Sequence, residues 1–284
     1  MLYSVIEFIV LPVMYMKGPS MMMFSNGVIQ NYPSVEYVMI PVYCCTFATT
    51  LCLLSCQFMY RYFVICGGNK FEFFSENLFK SSAIFTLVFS VAWASVVATF
   101  MQGSMEKKLH YGDDIMVHFD KDILEIVAYY ILFKSYDSSG NSTWNLDQLL
   151  AIMLLFTIMF FLFSIISSCG VLSFIRFQEN KHTYSRTTRD LHSQYFMVLT
   201  LQTAIPLITM YAPVGTFFVF PLFEIEVGDF INYTGAAVAL FPAIDPIVSI
   251  FALRQYRQIV LSPCGKVNQI QSNYGSTIKS TSRI

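Results

Sequence analysis

Four stretches of this chain, residues 37–60, 81–105, 148–175 and 191–223, hold no charged residue. A hydrocarbon core of ~30 Å needs about 20 apolar residues of helix, and each stretch exceeds that length. A fifth, residues 230–253, carries one charge, Asp245. A sixth opens the chain at Met1 and runs to about Met16, with Glu7 inside it. Charged residues make up only 12% of the 284, about half of what a soluble domain uses. The stretches are apolar all round, whereas membrane β-strands alternate apolar and polar positions. The expected fold class is therefore all-α: a polytopic membrane helix bundle with six spans. They fall at about residues 1–16, 36–62, 81–102, 148–174, 192–220 and 230–253. The bundle occupies residues 1–261, and 262–284 form a Ser-, Thr- and Asn-rich tail of the disordered type.

The opening segment does not read as a signal peptide. It has no basic start, it places Glu7 in the would-be apolar core, and no small-residue cleavage site follows. Residues 18–34 hold Gly18, Pro19, Asn26, Gly27 and Pro33, which predicts a loop or a re-entrant piece.

Charge distribution orients the bundle. Residues 61–80, 176–190 and the tail from Arg254 hold 12 Lys and Arg against four acids. The opposite loops hold five Lys and twelve acids. The positive-inside rule places the first set in the cytoplasm, and six spans then put both termini there. Two glycosylation sequons, at Asn141 and Asn232, fall in or beside the loops assigned to the outside. Asn141 is the better site, because Asn232 lies close to the membrane. Residues 102–147 form a long acidic loop whose middle, 123–133, is apolar enough to fold back on the bundle as a lid, with a solvated loop as the alternative. The start of the tail suits a basic amphipathic helix along the inner leaflet, so membrane lipid is a partner. Cys264 beyond it is a candidate for palmitoylation.

Polar residues inside the spans narrow the reading. A carboxylate at the depth of Asp245 costs a few kcal/mol and must face the bundle interior. Pro242 and Pro246 flank it, and each frees a carbonyl one turn earlier, which suits a kinked moving part or a fixed polar pin. Pro206 and Pro213, seven residues apart, share a helix face and predict a bent helix. Tyr60, Arg61 and Tyr62 end the second segment at the predicted cytoplasmic edge, as a snorkelling anchor or as a contact for a cytoplasmic partner.

Catalytic and nucleotide motifs are missing from the sequence: no HExxH, GxSxG or Walker loop occurs. Nothing in it calls for a cofactor, a metal or nucleic acid. The cysteines, five of them between Cys44 and Cys66, read as packing residues rather than a disulfide framework or zinc ligands.

Five blocks together carry a resemblance. Gln57-Phe-Met-Tyr-Arg-Tyr62, Leu201-Gln-Thr-Ala-Ile-Pro206, Tyr211-Ala-Pro-Val214, Phe241-Pro-Ala-Ile-Asp-Pro246 and Gln255-Tyr-Arg257 resemble, in order and spacing, the nematode Str-type seven-transmembrane chemoreceptors and their Srj and Srd relatives. The resemblance covers essentially the whole chain. It implies a rhodopsin-like G-protein-coupled receptor fold. The implied role is an odorant or other small-molecule receptor, coupled to a heterotrimeric G protein in the ciliary membrane of chemosensory neurons. By position, Tyr60-Arg61-Tyr62 resembles the G-protein-facing motif, and Asp245 resembles the acid of the Pro-x-x-Asp-Pro motif in the last helix. The opening residues 7–12 resemble the second of the family's seven helices, so six spans are expected here with the first missing. Depth alone suggests Tyr43, Phe47, Met153, Tyr211 and Tyr233 as pocket-lining residues. A channel or transporter subunit, or a truncated product that does not signal, are the alternatives.

Overall fold

The computed structural model describes residues 2–66, 71–136, 142–180, 197–198, 200–228 and 231–252. Six helices alternate in direction: α1 (Leu2–Val10), α2 (Pro33–Cys66), α3 (Phe71–Phe100), α5 (Leu146–Asn180), α6 (Thr200–Leu222) and α7 (Ile231–Ala252). A further helix, α4 (Met105–Phe119), and five strands lie between them. The strands are β1 (Pro12–Lys17), β2 (Ser20–Ser25), β3 (Ala128–Leu132), β4 (Lys134–Tyr136) and β5 (Ser142–Trp144).

Four of these helices, α2, α3, α5 and α6, are long and apolar enough to cross a bilayer. Their outward side chains are apolar too. On α3, Phe79, Ile84, Leu87, Val88 and Val91 are all exposed, a contiguous band that fits hydrocarbon and would be a liability in water.

The opening segment corrects the expectation of a span over residues 1–16. Nine helical residues cover about 14 Å, less than half a hydrocarbon core. Leu11 then takes a positive φ of 41° and the chain turns into β1. The loop expected at 18–34 is in part a β-hairpin. β1 pairs antiparallel with β2 across Gly18-Pro19, and β2 pairs antiparallel with β3. Gly18 has φ 52°, the positive value that the first central position of a two-residue hairpin turn takes. The bundle is therefore not purely helical.

The sheet β1-β2-β3 is buried on both faces, and its side chains alternate as the pleat requires. Met14, Met16, Met21, Tyr129 and Ile131 pack into the core of the bundle. Tyr15, Met22, Phe24, Ala128 and Tyr130 point the other way, against Tyr111 and Ile115 of α4. This double burial explains why Met21, Met22 and Met23 read as an unbroken apolar run. The predicted lid is thus a layer of sheet under a layer of helix.

Helix ends hold the lid down. Tyr130 N–H donates to Met101 O at 2.6 Å beyond α3. The Tyr129 hydroxyl donates to Tyr37 O of α2 at 2.7 Å. Asn145, just before α5, donates its backbone N–H to Phe133 O and its side-chain amide to Leu132 O, both at 2.8 Å. Gly27 N–H reaches Val10 O at 3.1 Å, and Ser25 Oγ reaches the same oxygen at 2.6 Å.

Candidate ligand cavity and coupling face

Beneath the sheet lies a cavity of about 80 Å³. Helix α2 contributes Tyr43, Cys44 and Phe47, α3 contributes Trp93 and Val97, and α5 contributes Leu155. Val214, Phe217 and Phe218 of α6 close another side, with Gly235 and Val238 of α7. Met14, Met21, Met23, Tyr129 and Ile131 of the sheet form the roof, and Met101 lies at its edge.

The lining is almost wholly apolar, and four of its side chains are methionines. Unbranched thioethers change rotamer at low cost and fill irregular space, so the cavity adapts to its contents. Its size fits a molecule of a few non-hydrogen atoms, larger only if the methionines move. Gly235 matters because a side chain there would meet no atom within 4 Å; the position is open space.

The residues expected to line a pocket divide. Tyr43 and Phe47 are in the lining and nearly buried, and Phe47 packs at 5.8 Å against the Trp93 ring. Met153 is 63% exposed and Tyr233 is 71% exposed; both are corrected to the outer surface. The reason is helical phase. Leu155 and Ile152 of α5 are buried and Met153 lies between them on the opposite side, while on α7 Gly235 and Val238 face inward. Tyr211 is not in the cavity lining; it packs against Phe163 at 5.4 Å and bridges the main core and a smaller cluster of Leu54, Phe58 and Ile166. The roof residues were missed, because strands between spans cannot be registered from hydropathy alone.

Pro206 and Pro213 are both buried, and a π-helical turn, Leu207–Tyr211, lies between them. Ala212 N–H donates to Leu207 O, the i to i−5 spacing of a widened turn. Pro213 has no N–H for Thr209 O, and its ring would clash with that carbonyl in a regular helix. Widening the turn relieves the clash. Such turns are frequent at functional positions.

Tyr60, Arg61 and Tyr62 lie near the far end of α2, at the end of the bundle away from the sheet. Pro242, Asp245 and Pro246 lie in α7; Pro246 is exposed, and the side chains of Pro242 and Asp245 are outside the described set. Asn141, Cys264, residues 181–190 and the tail from Leu253 also lie outside the described residues. Asn232 stands in the first turn of α7. Its Oδ1 accepts the Met14 N–H at 2.8 Å beneath the sheet edge, so its carboxamide is committed to the lid.

Ion pairs sit in the lid layer. Lys17 pairs with Asp114 of α4, and Lys134 with Glu224 just beyond α6. The Lys134 ammonium also lies 4.5 Å from the Trp144 ring centre. Lys121 donates to Asn26 Oδ1 at 2.8 Å and Gln30 Oε1 at 3.2 Å. Partial burial lowers its pKa, and the Glu36 carboxylate opposes that shift.

Four helices of membrane-crossing length around an apolar cavity are those of an integral membrane protein. The chain belongs to the serpentine type 7TM GPCR chemoreceptor family Str, whose sequence pattern matches residues 1–261. It is similar to serpentine receptor class r-10 of Caenorhabditis elegans, 26% identical over 99% of this chain and 83% of that protein. It is also similar to the r-10 receptor of Caenorhabditis briggsae, 28% identical over 91% of this chain and 75% of that one. A third relative is the G-protein coupled receptor str-33 of C. elegans, 23% identical over 90% and 75%. No solved structure matches the chain. The family is one of receptors, not of enzymes.

Proposed function

We propose that the protein is an olfactory-type chemosensory receptor. A small, mostly apolar molecule binds in the cavity under the sheet and the signal passes to a heterotrimeric G protein at the opposite end. The observation that carries this reading is the cavity itself. It is lined by five helices and a sheet layer, and Val214, Phe217 and Phe218 set it against α6. A ligand there favours the bundle arrangement whose lining fits it best.

The π-helical turn below the contact residues gives α6 a place to pivot between Pro206 and Pro213. Movement there would open a crevice at the basic end, where Tyr60, Arg61 and Tyr62 offer a cationic contact. Pro242, Asp245 and Pro246 would form a second adjustable region in α7. The sheet faces outward and the basic end faces the cytosol, with the C-terminal tail inside and Cys264 available for acylation. Asn141 is the glycan acceptor. The site of action in this proposal is the ciliary plasma membrane of chemosensory neurons, which the kinship to chemoreceptors supports.

The test uses the full chain in lipid nanodiscs with a purified G protein and a panel of small neutral volatiles. Ligand-evoked nucleotide exchange is expected, together with its loss in Arg61→Ala at unchanged ligand binding. Exchange that persists at full rate in Arg61→Ala would remove the coupling role of that residue.

A further inference from the structure

We infer that the roof of the cavity is a binding site for a soft monovalent metal ion of the copper(I) class, held by the thioethers of Met14, Met21 and Met23 together with Met101 and the Cys44 thiol. The ion is a second kind of occupant for the same cavity, and its binding needs neither a volatile ligand nor a G protein.

Strand register brings the sulfurs together. Met14 of β1 stands directly opposite Met23 of β2, so their Cβ atoms lie about 4.5–5.5 Å apart on one face of the sheet. Met21 is two residues from Met23, on the same face and diagonal to Met14, a spacing that long side chains bridge. All three line the cavity. Met101, just beyond α3, and Cys44 of α2 add sulfurs from the surrounding wall. Cys44 is buried and in no disulfide. Met22 lies between Met21 and Met23 in the chain but turns to the opposite face, against α4.

Donor chemistry chooses the ion. The other polar side-chain groups of the lining are the Trp93 N–H and the hydroxyls of Tyr43 and Tyr129. The indole N–H is a donor only and holds no metal, and the Tyr129 hydroxyl already donates to Tyr37 O at 2.7 Å. Among the described lining residues there is no carboxylate and no imidazole. Magnesium, calcium and manganese ions look for oxygen, whereas thioethers and thiols favour copper(I). Unbranched methionines swing at low cost, so several can converge on one ion.

Size and charge point the same way. The void of about 80 Å³ is near half of the roughly 150 Å³ that holds benzene, and a single ion fits it with side-chain movement alone. A bare cation in so apolar a site is costly. Cys44 offsets that cost. Its thiol proton leaves to solvent as the metal–sulfur bond forms, Cys–SH and M+ giving Cys–S–M and H+, so the net charge of the cavity is unchanged. The ion enters in its +1 state and no electron is transferred. Once bound, it ties the sheet to α2.

The experiment loads the full chain in detergent, all cysteines intact, with one equivalent of copper(I) under argon. The protein is grown with selenomethionine in place of methionine. X-ray absorption at the copper edge then separates methionine ligands, which scatter as selenium, from cysteine ligands, which scatter as sulfur. A copper–selenium shell with a sulfur contribution is expected, and a higher melting temperature by mass action. Met14→Leu combined with Met23→Leu keeps the volume nearly constant. It should remove most of the selenium shell. It should also weaken copper(I) binding, read by competition with a chelator, by at least the ~10–100-fold that even an outer-shell partner is worth. Met22→Leu, on the other face of the same strand, should change neither. Copper–sulfur scattering alone in the unaltered chain overturns the inference, and that reading depends on no variant folding. A selenium shell undiminished in the double variant, or lost equally in Met22→Leu, overturns it as well. These outcomes leave the receptor reading standing, and failure of that reading leaves the copper–selenium result untouched.

Discussion

Asn232 of α7 accepts the backbone N–H of Met14 through its side-chain oxygen at 2.8 Å. Met14 belongs to β1, an edge strand of the sheet, and an edge leaves backbone donors unpaired. Asn232 thus plays the part of a missing strand at one position. The same Met14 side chain enters the cavity, so the residue that pins the lid also sets the roof over the ligand.

Replacing Asn232 with Leu should orphan that N–H. A buried unsatisfied donor costs about 1–3 kcal/mol. We expect a lower melting temperature in detergent and faster proteolytic nicking of residues 12–25. Glycosidase treatment of protein from eukaryotic cells should give no shift attributable to Asn232, since removing Asn141 alone should abolish the whole shift.

Gly27 is the tightest point between α1 and the hairpin. A Cβ there would stand 2.1 Å from Ile9 O and 2.8 Å from Val10 C, and backbone cannot give way as a side chain can. Gly27→Ala should therefore separate the hairpin from α1 and cost more than the ~0.5–1 kcal/mol that Gly-to-Ala gains in ordinary backbone. The expected outcome is a poorly folded receptor retained inside the cell, measured as lost surface expression. Wild-type surface levels would mean that the close approach is not needed.

Gly235 offers the opposite case. Open space surrounds its missing side chain within the cavity lining. Gly235→Leu should fill part of the 80 Å³, keep or raise stability, since Gly in a helix costs about 1 kcal/mol, and lower ligand affinity at least tenfold. Met153→Ala and Tyr233→Ala, both on the outer surface, should leave affinity unchanged in the same titration.

The lid core holds two phenols whose burial raises their pKa above the ordinary value of 10.0, Tyr111 and Tyr130. The sign follows from the folded state resisting deprotonation. The lid keeps its full stability below pH 10.0 and loses it as pH rises further, because the opened chain ionises and the closed one does not. Tyrosinate absorbance should show a late, cooperative step that shrinks in Tyr111→Phe. A single non-cooperative titration with ordinary values for all tyrosines would contradict the buried lid core.

The amino-acid sequence by itself determined that this chain lives in a bilayer. Uncharged runs such as 148–175 admit no other solvent, and their all-round apolarity selects helices, whose backbone polar groups satisfy one another. The paired prolines of α6 also spoke locally, because the lost N–H and the ring clash at Pro213 act within one turn. The family was legible in the same way, from blocks of sequence on successive helices.

Tertiary structure alone decided the roof. Whether Met14, Met23 and Ile131 share a cavity with Trp93 and Phe217 depends on strand pairing between residues more than a hundred positions apart. Hydropathy registers only burial, and a sheet covered on both faces looks like any apolar run. For the same reason depth could not separate Tyr43 and Phe47, which line the cavity, from Met153 and Tyr233, which lie on the outer surface. Which side of a uniformly apolar helix faces inward is set by its neighbours rather than by its own pattern.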